Sequence, residues 1–292
     1  MLFARALKRG KKRSDRVLFE SHFTYRLDDI GGHSIELPEV KGRPGRGGFA
    51  FGIYKSGSSL LATAVRRLAR QTHTKYFNLT QACLLGGVPL EEAVFSDYSR
   101  CMLEEWLGKP GVLLAGWRQF PSNFSIPLGG DTRTYLLVRD PRDAITSLYF
   151  SLKYSHSTTG ALAAPILRSR DQLQDMDIDG FALALAPLFA AKFQAYRPLE
   201  RTNLLLHRYE DIIFDKEKFL AAISVHFDID ASPAVLAGVA QSVDERPATE
   251  DINAHVRQVT PGDHKRKLKP ATIEAVNQIL SDVLLKYDYD VA

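Results

Sequence analysis

The chain has 292 residues, of which 45% are hydrophobic and 25% are charged, and its formal net charge is +4. This composition excludes a disordered, collagenous or coiled-coil chain, and we favour one large α/β domain over two small ones. Residues 1–16 carry seven basic residues and one acidic residue, which leaves 31 basic and 33 acidic residues for the rest. Because the body of the chain is not basic, we expect no nucleic-acid partner.

The cysteines and the apolar segments indicate in which cellular compartment the protein is expected and whether it spans a membrane. Cys83 and Cys101 are too few for a disulfide framework and lack the paired Cys/His spacing of a structural zinc site, so we predict a reducing, cytoplasmic location. The longest apolar stretch is residues 181–191, interrupted by Pro187, whereas about 20 residues are needed to cross a bilayer. The sequence therefore predicts no transmembrane helix, and the N-terminus lacks the apolar core of a secretory signal.

The N-terminal part is predicted to consist of a tail and a hairpin. Residues 1–16 are either a basic amphipathic segment that contacts an anionic membrane surface or a solvated, disordered tail. Residues 17–47 contain two stretches of alternating apolar and polar residues around a turn sequence, followed by a glycine-rich linker, which predicts a small hairpin. The main domain is then residues 48–292.

Strand and helix patterns alternate along this main domain. Strands are predicted at residues 49–54, 75–79, 112–116, 134–138 and 203–208, and helices at 58–71, around 90–107, at 142–154 and at 179–196, followed by two or three C-terminal helices. This alternation is typical of a central parallel sheet flanked by helices. Ligands of such sheets bind at the carboxyl ends of the strands, so the residues that follow strands are the candidates for a site.

The first candidate is the loop at residues 54–59, Tyr-Lys-Ser-Gly-Ser-Ser, between a strand and a helix. The free N–H groups of the first helical turn and the helix dipole favour an anion there, and Lys55 adds a positive charge. The ATP-type P-loop has the pattern G-x-x-x-x-G-K-[ST]. Gly47 and Gly52 have that spacing, but Ile53 stands where the lysine belongs. The loop is thus predicted to bind a phosphate-like group in another way.

This loop resembles the 5′-phosphosulfate loop of the sulfotransferase family, [YF]-P-K-[ST]-G-[ST]-[ST], although it lacks the proline and has Leu60 in place of a frequent tryptophan. The resemblance implies a parallel α/β fold related to the nucleotide kinases. It also implies that the loop binds the donor 3′-phosphoadenosine 5′-phosphosulfate (PAPS). The residues to which it assigns that role are Lys55, Ser56, Gly57, Ser58 and Ser59.

Three further segments match the family in order. Arg139-Asp140-Pro141-Arg142-Asp143, with Ser147 eight residues after Arg139, resembles the segment whose arginine and serine bind the 3′-phosphate of the donor. Tyr209, after the strand at 203–208, matches a tyrosine near the adenine. The segment 257–265 resembles the loop R-K-G-x-x-G-D-W, in which Arg257 would bind the 3′-phosphate, but its lysine, glycine and tryptophan are replaced. An alternative role for Arg139 is a structural ion pair with Asp143.

The resemblance implies transfer of a sulfuryl group from PAPS to a hydroxyl or amine, which leaves adenosine 3′,5′-bisphosphate (PAP) and requires no metal. Lys55 would meet the charge that develops on the leaving oxygen. We predict a carbohydrate or glycolipid acceptor, bound by the variable segments at 80–107 and 154–179. The family's Lys-Thr-His-Leu-Pro corresponds to residues 115–121, which lack the histidine. The general base is unassigned, and the candidates are His156, Glu91, Glu92 and Asp97.

The sequence is also compatible with two other functions. One is an ATP-dependent P-loop kinase in which Asp140 holds magnesium, and the other is a nucleotide-binding protein without catalytic activity. Residues 155–160 are either a lid or a connecting loop. The oligomeric state and the identity of the acceptor have no signature in the sequence.

Overall fold

The computed structural model describes residues 24–28, 32, 34–38, 47–88, 90, 93–109, 111–155 and 163–291. The strands are β1 (Thr24–Asp28), β2 (Ser34–Pro38), β3 (Gly48–Gly52), β4 (Tyr76–Phe77), β5 (Leu113–Trp117), β6 (Arg133–Val138) and β7 (Asn203–Arg208). The helices are α1 (Ser58–Gln71), α2 (Leu79–Leu85), α3 (Asp97–Leu107), α4 (Pro141–Phe150), α5 (Ala163–Gln172), α6 (Ile178–Gln194), α7 (Tyr209–Ile212), α8 (Lys216–His226), α9 (Pro233–Ser242), α10 (Asp263–Lys267) and α11 (Pro270–Lys286). A π-helical turn, Ser151–Ser155, continues α4, and a 3₁₀-helix, Arg197–Arg201, precedes β7.

The centre of the fold is a five-stranded sheet in the order β4-β5-β3-β6-β7. All neighbouring strands of this sheet are parallel. The predicted central parallel sheet flanked by helices is thus confirmed. Because β3 lies in the middle, the loop that follows it has the carboxyl end of β5 on one side and the carboxyl end of β6 on the other.

The sheet is buried on both faces, as the alternation of side chains in β3 shows. Phe49 and Phe51 lie in one hydrophobic core, which includes residues of α3, α4, α6 and α11. Ala50, between them, belongs to a second core on the other face, which includes residues of α1, α8 and α9. Successive side chains of a strand point to opposite faces, so an apolar run is what a strand covered on both faces requires.

The predicted hairpin is present as the antiparallel pair β1–β2. Its apolar residues Leu27, Ile35 and Leu37 are buried and belong to the larger of the two cores, close to α2 and α3. The segment at 1–16 and most of the linker at 41–47 lie outside the described residues, so the predicted boundaries at residues 16 and 47 stay predictions.

The helices differ from the predictions in several places. Helix α5 was not predicted, and α3 begins at Asp97 although a helix was predicted from about residue 90. The strand predicted at 75–79 ends at Phe77 because the Asn78 side chain accepts a hydrogen bond from the N–H group of Gln81 and so caps α2, which sequence analysis did not predict. Five helices follow β7, more than the predicted two or three. Two of the five, α7 and α10, have only four and five residues, which is too short to produce a clear periodic pattern.

One segment of the described residues, Ile178–Arg201, is long and apolar enough to cross a membrane by length and composition. The sequence analysis predicted no such segment. In the structure this segment contains α6, which packs against α4 and α11. The large apolar side chains Phe181, Phe189 and Phe193 are almost fully buried there. Packing in the core accounts for only part of the apolar character of α6, since Leu183 and Leu188 are 40% and 49% exposed.

Candidate functional site

A cavity of about 570 Å³ lies at the carboxyl ends of β3, β5 and β6. Eight of the nine residues predicted to form a site line it, although they are spread over about 200 residues of the chain. These residues are Lys55, Gly57, Ser58, Ser59, Arg139, Ser147, Tyr209 and Arg257. The structure thus brings together the four sequence segments that resemble one family.

The loop between β3 and α1 exposes the N-terminus of α1 to this cavity. Gly57 is the N-cap of the helix, but no side chain caps the helix and no acidic residue lies in its first turn. The first N–H groups of an α-helix have no partner within the helix. Those of Ser58, Ser59 and Leu60 therefore remain available at the cavity wall, where the positive end of the helix dipole adds to their attraction for an anion.

Residue 57 must be glycine for two reasons. Its φ of +90° lies in the left-handed region, which side chains disfavour. A β-carbon at this position would also lie 2.9 Å from Cδ2 of Tyr209. The conformation of the loop and its contact with the Tyr209 ring consequently both depend on the absence of a side chain.

Ser56 is the one predicted site residue that does not line the cavity. Its hydroxyl donates to the carbonyl oxygen of Leu137 at 2.9 Å and is also close to the carbonyl oxygen of Ile53. Its N–H group donates to the same Ile53 carbonyl at 2.9 Å. Ser56 thus ties the loop to β6, and its hydroxyl faces the protein interior.

Lys55 lies at the centre of a cluster of positive charges. Burial, together with the positive charges of Arg139, Arg118 and Arg257, lowers the pKa of its ammonium group to about 8. Cations held this close together repel one another, and an anion bound among them relieves that repulsion. The electrostatics therefore favour a ligand with several negative charges.

Arg139 follows β6 and presents a guanidinium group with spare hydrogen-bonding capacity. The group lies 4.6 Å from the centre of the Tyr209 ring, and its nearest carboxylate, Asp143, is 3.7 Å away. Its Nε is buried and has no hydrogen-bond partner among the described residues. Arg139 nevertheless lines the cavity, so its guanidinium group is placed to donate hydrogen bonds to a ligand oxygen there.

Ser147 and Arg257 approach the same cavity from α4 and from the segment that precedes α10. The guanidinium group of Arg257 forms ion pairs with Glu250 and Asp263, and it lies 4.3 Å from the centre of the Phe150 ring. Two carboxylates already compensate its charge. Arg257 is accordingly less available to a ligand anion than Arg139, and its predicted role as an anion ligand stays a prediction.

Asp143 fixes the position of the segment that carries Arg257. Its carboxylate accepts hydrogen bonds from the N–H groups of Gly262 at 2.7 Å and His264 at 2.9 Å, and from Nδ1 of His264 at 2.6 Å. Although burial works to raise it, the bond from His264 and the charge of Arg139 hold the pKa of Asp143 well below its usual range. Asp143 thus joins the start of α4 to the start of α10.

Sequence analysis did not predict Arg118 as a site residue. It directly follows β5, lines the cavity and is close enough to Lys55 to lower the pKa of that lysine. The rule that ligands gather at strand ends could have identified it, as it identified Arg139. The cavity is also lined by further polar or aromatic residues without a sequence assignment, among them Tyr54, Arg67, Phe150, Lys216, Asp244 and His255.

The structure describes one of the four candidate bases. Asp97 begins α3, is highly exposed, pairs with Arg100 at 2.8 Å and does not line the cavity. Glu91, Glu92 and His156 lie outside the described residues, as does most of the segment at 155–160. The general base therefore remains unassigned.

No protein-family model matches the chain, and no curated protein matches its sequence. Among solved structures it is similar to mouse sulfotransferase SULT7A1 complexed with PAP, with a TM-score of 0.56 and 15% identity over 90% of this chain and 95% of that one. It is also similar to retinol dehydratase in a complex with retinol and PAP, with a TM-score of 0.48 and 14% identity over 91% and 92%. The likeness to the mouse protein shows that the chain has the sulfotransferase fold.

Proposed function

We propose that the protein transfers a sulfuryl group from PAPS to a hydroxyl or amine of an acceptor and leaves PAP. The observation that carries this proposal is one cavity in which Lys55, the open N-terminus of α1 and Arg139 meet. The fold shared with a sulfotransferase that was crystallised with PAP supports it. So does the excess of positive charge around Lys55, because PAPS carries several negative charges.

The anion-binding residues of the cavity come from different elements, the loop before α1 on one hand and the segments after β6 and before α10 on the other, and we assign them to the two phosphate-bearing positions of the donor ribose. Lys55 and the N–H groups of Ser58 and Ser59 would hold the 5′-phosphosulfate. Arg139, with Ser147 and Arg257 beside it, would hold the 3′-phosphate. Tyr209 would lie near the adenine. The cavity volume of about 570 Å³ is within the range of small-molecule sites.

When bound, PAPS supplies an activated sulfuryl group. As the bond between sulfur and the bridging oxygen breaks, the ammonium group of Lys55 and the N–H groups of the α1 N-terminus would stabilise the negative charge that develops on that oxygen. The acceptor oxygen or nitrogen forms the new bond to sulfur and gives up its proton. The residue that takes this proton is unassigned.

The two alternative functions have less support. In a kinase Asp140 would hold magnesium, but both of its carboxylate oxygens already accept hydrogen bonds from Arg142, at 3.0 Å and 2.7 Å. A nucleotide-binding protein without activity would use the same cavity. Only the enzyme would transfer sulfate from PAPS to an acceptor, so a measurement of this transfer distinguishes the two functions.

The finer aspects of the function remain proposals. A carbohydrate or glycolipid acceptor and a cytoplasmic location follow from the sequence alone. Contact with an anionic membrane through the basic residues 1–16 is a further proposal, and that segment lies outside the described residues.

Binding of PAP tests the donor site directly. We expect micromolar affinity by isothermal titration calorimetry, and we expect Arg139→Ala to weaken it about 10- to 100-fold, because charged hydrogen bonds to the 3′-phosphate are lost. Arg201→Ala, an exposed arginine that does not line the cavity, is the matched control. Undetectable PAP binding, or magnesium-dependent ATP turnover in its place, would contradict the proposal. A second step measures transfer of labelled sulfate from PAPS to glycan, lipid and phenol acceptors.

The lowered pKa of Lys55 predicts a pH dependence of PAP binding. In the free protein Lys55 is charged below about pH 8 and loses its proton above it. A bound phosphate favours the charged form, so binding above pH 8 must take up a proton and the affinity must fall as the pH rises. Calorimetry at pH 9 in buffers of different ionisation enthalpy should show uptake of about 0.9 proton by Lys55, against about a quarter of a proton at pH 7.5. Lys55→Arg should remove the uptake at pH 9, since arginine remains charged there.

A further inference from the structure

Arg118 has a different position from the other arginines of the cavity. It follows β5, whereas Arg139 follows β6, and these two strands lie on opposite sides of β3. Lys55, in the loop after β3, therefore stands between the two guanidinium groups. Ser147 and Tyr209, proposed above for the nucleotide, also belong to the half of the sheet formed by β6 and β7. Arg118 thus faces Lys55 from the side away from the nucleotide.

The charge of Arg118 is also less compensated than that of its neighbours. Arg139 has Asp143 at 3.7 Å, and Arg257 is paired with two carboxylates. Arg118 forms no ion pair with a carboxylate of the described residues, although it is half-buried in the cavity wall. A half-buried guanidinium group without a counter-charge favours an anionic ligand.

The surroundings of Arg118 add positive charge. Its sequence neighbour Gln119 accepts a hydrogen bond from Nζ of Lys192 at 2.6 Å. The same ammonium group lies 5.6 Å from the centre of the Tyr54 ring, next to Lys55 in the loop. Tyr54 and Arg118 thus line the cavity, and the ammonium group of Lys192 lies behind Tyr54, outside the cavity lining.

We propose that Arg118 binds an acidic group of the acceptor, a carboxylate or a phosphate, close to the hydroxyl that receives the sulfuryl group. The inference rests on the proposed function, which assigns the nucleotide to Lys55 and the β6–β7 half. The planar guanidinium fork matches the two oxygens of a carboxylate or phosphate, and it fixes the orientation of the acceptor as well as its charge. The acceptor class is thus an acidic one, such as an acidic sugar.

The test compares matched sugars that differ in charge. Glucose, glucuronate and glucose 6-phosphate are titrated calorimetrically into the PAP-saturated protein, so that only the acceptor side remains open. We expect both charged sugars to bind at least about 10-fold more tightly than glucose. Arg118→Gln should abolish this preference and lower the affinity for PAP by less than about tenfold, whereas Arg201→Gln should leave both unchanged. Arg118→Lys should keep more of the preference for the phosphate than for the carboxylate, because lysine retains the charge but not the fork.

Several outcomes would overturn the inference. These are equal affinity for charged and neutral sugars, no detectable binding of either charged sugar, and a charge preference that survives Arg118→Gln. A loss of PAP affinity of tenfold or more in Arg118→Gln would assign the residue to the nucleotide instead. Failure of the proposed function is recognised separately, because the wild-type protein would then not bind PAP at all.

Discussion

Replacing Lys55 with alanine is expected to lower kcat for sulfuryl transfer by about 10²- to 10³-fold, the usual effect of removing one donor that stabilises a developing negative charge. Lys55 is half-buried near three arginines and lies shortly before the open N-terminus of α1, where the leaving oxygen of the donor would be. The measurement is release of PAP from PAPS with the best acceptor of the panel, at saturating concentrations of both substrates.

A control variant and a measurement of PAP affinity show whether Lys55 acts mainly in the transition state. Lys218→Ala, an exposed lysine outside the cavity, should retain wild-type activity. The affinity of Lys55→Ala for PAP should fall by a smaller factor than kcat, because the 3′-phosphate side of the cavity is intact. A variant with unchanged kcat and a raised KM would instead show that Lys55 contributes equally to the ground state and the transition state.

Replacing Arg142 with alanine is expected to lower the free energy of unfolding by about 3–5 kcal/mol, the usual cost of removing one partner of a buried ion pair. Nε and Nη2 of Arg142 donate to Asp140, and Nη1 donates to Asn277 at 2.8 Å. The side chain is about 1% exposed, and Asp140 is also buried. The substitution leaves a buried carboxylate without its cation and removes a link between α4 and α11. Urea denaturation followed by circular dichroism measures the change.

Arg139→Ala is the matched control, since both arginines belong to the motif Arg-Asp-Pro-Arg-Asp and both are buried. We expect Arg139→Ala to change the free energy of unfolding less and PAP affinity more than Arg142→Ala does. The reverse order would contradict both assignments. Addition of Asp140→Asn to Arg142→Ala should recover part of the lost stability, because a neutral side chain then replaces the unpaired carboxylate.

The sequence was sufficient for the elements whose residues carry a strong local pattern. The helix predicted at 58–71 coincides with α1, since its apolar residues recur at helical spacing and a glycine in the left-handed region begins it. The strand predicted at 203–208 coincides with β7, and β6 differs from its prediction by one residue. Local patterns failed for α2, whose cap formed within a predicted strand, and for the short helices of the C-terminal part.

For the candidate site, the sequence by itself predicted most of the residues that line the cavity at the strand ends: a lysine and serines after one apolar strand, and an arginine after another. Only the tertiary structure decided how they act. Arg139 and Arg142 are three residues apart in one motif, but Arg142 donates to Asn277, 135 residues further along the chain, while Arg139 packs against the Tyr209 ring and lines the cavity. Ser56 turned inward and Arg118 joined the site for the same reason. A side chain's partners depend on the order of the strands and on the packing of distant helices, and this information is not contained in any local segment.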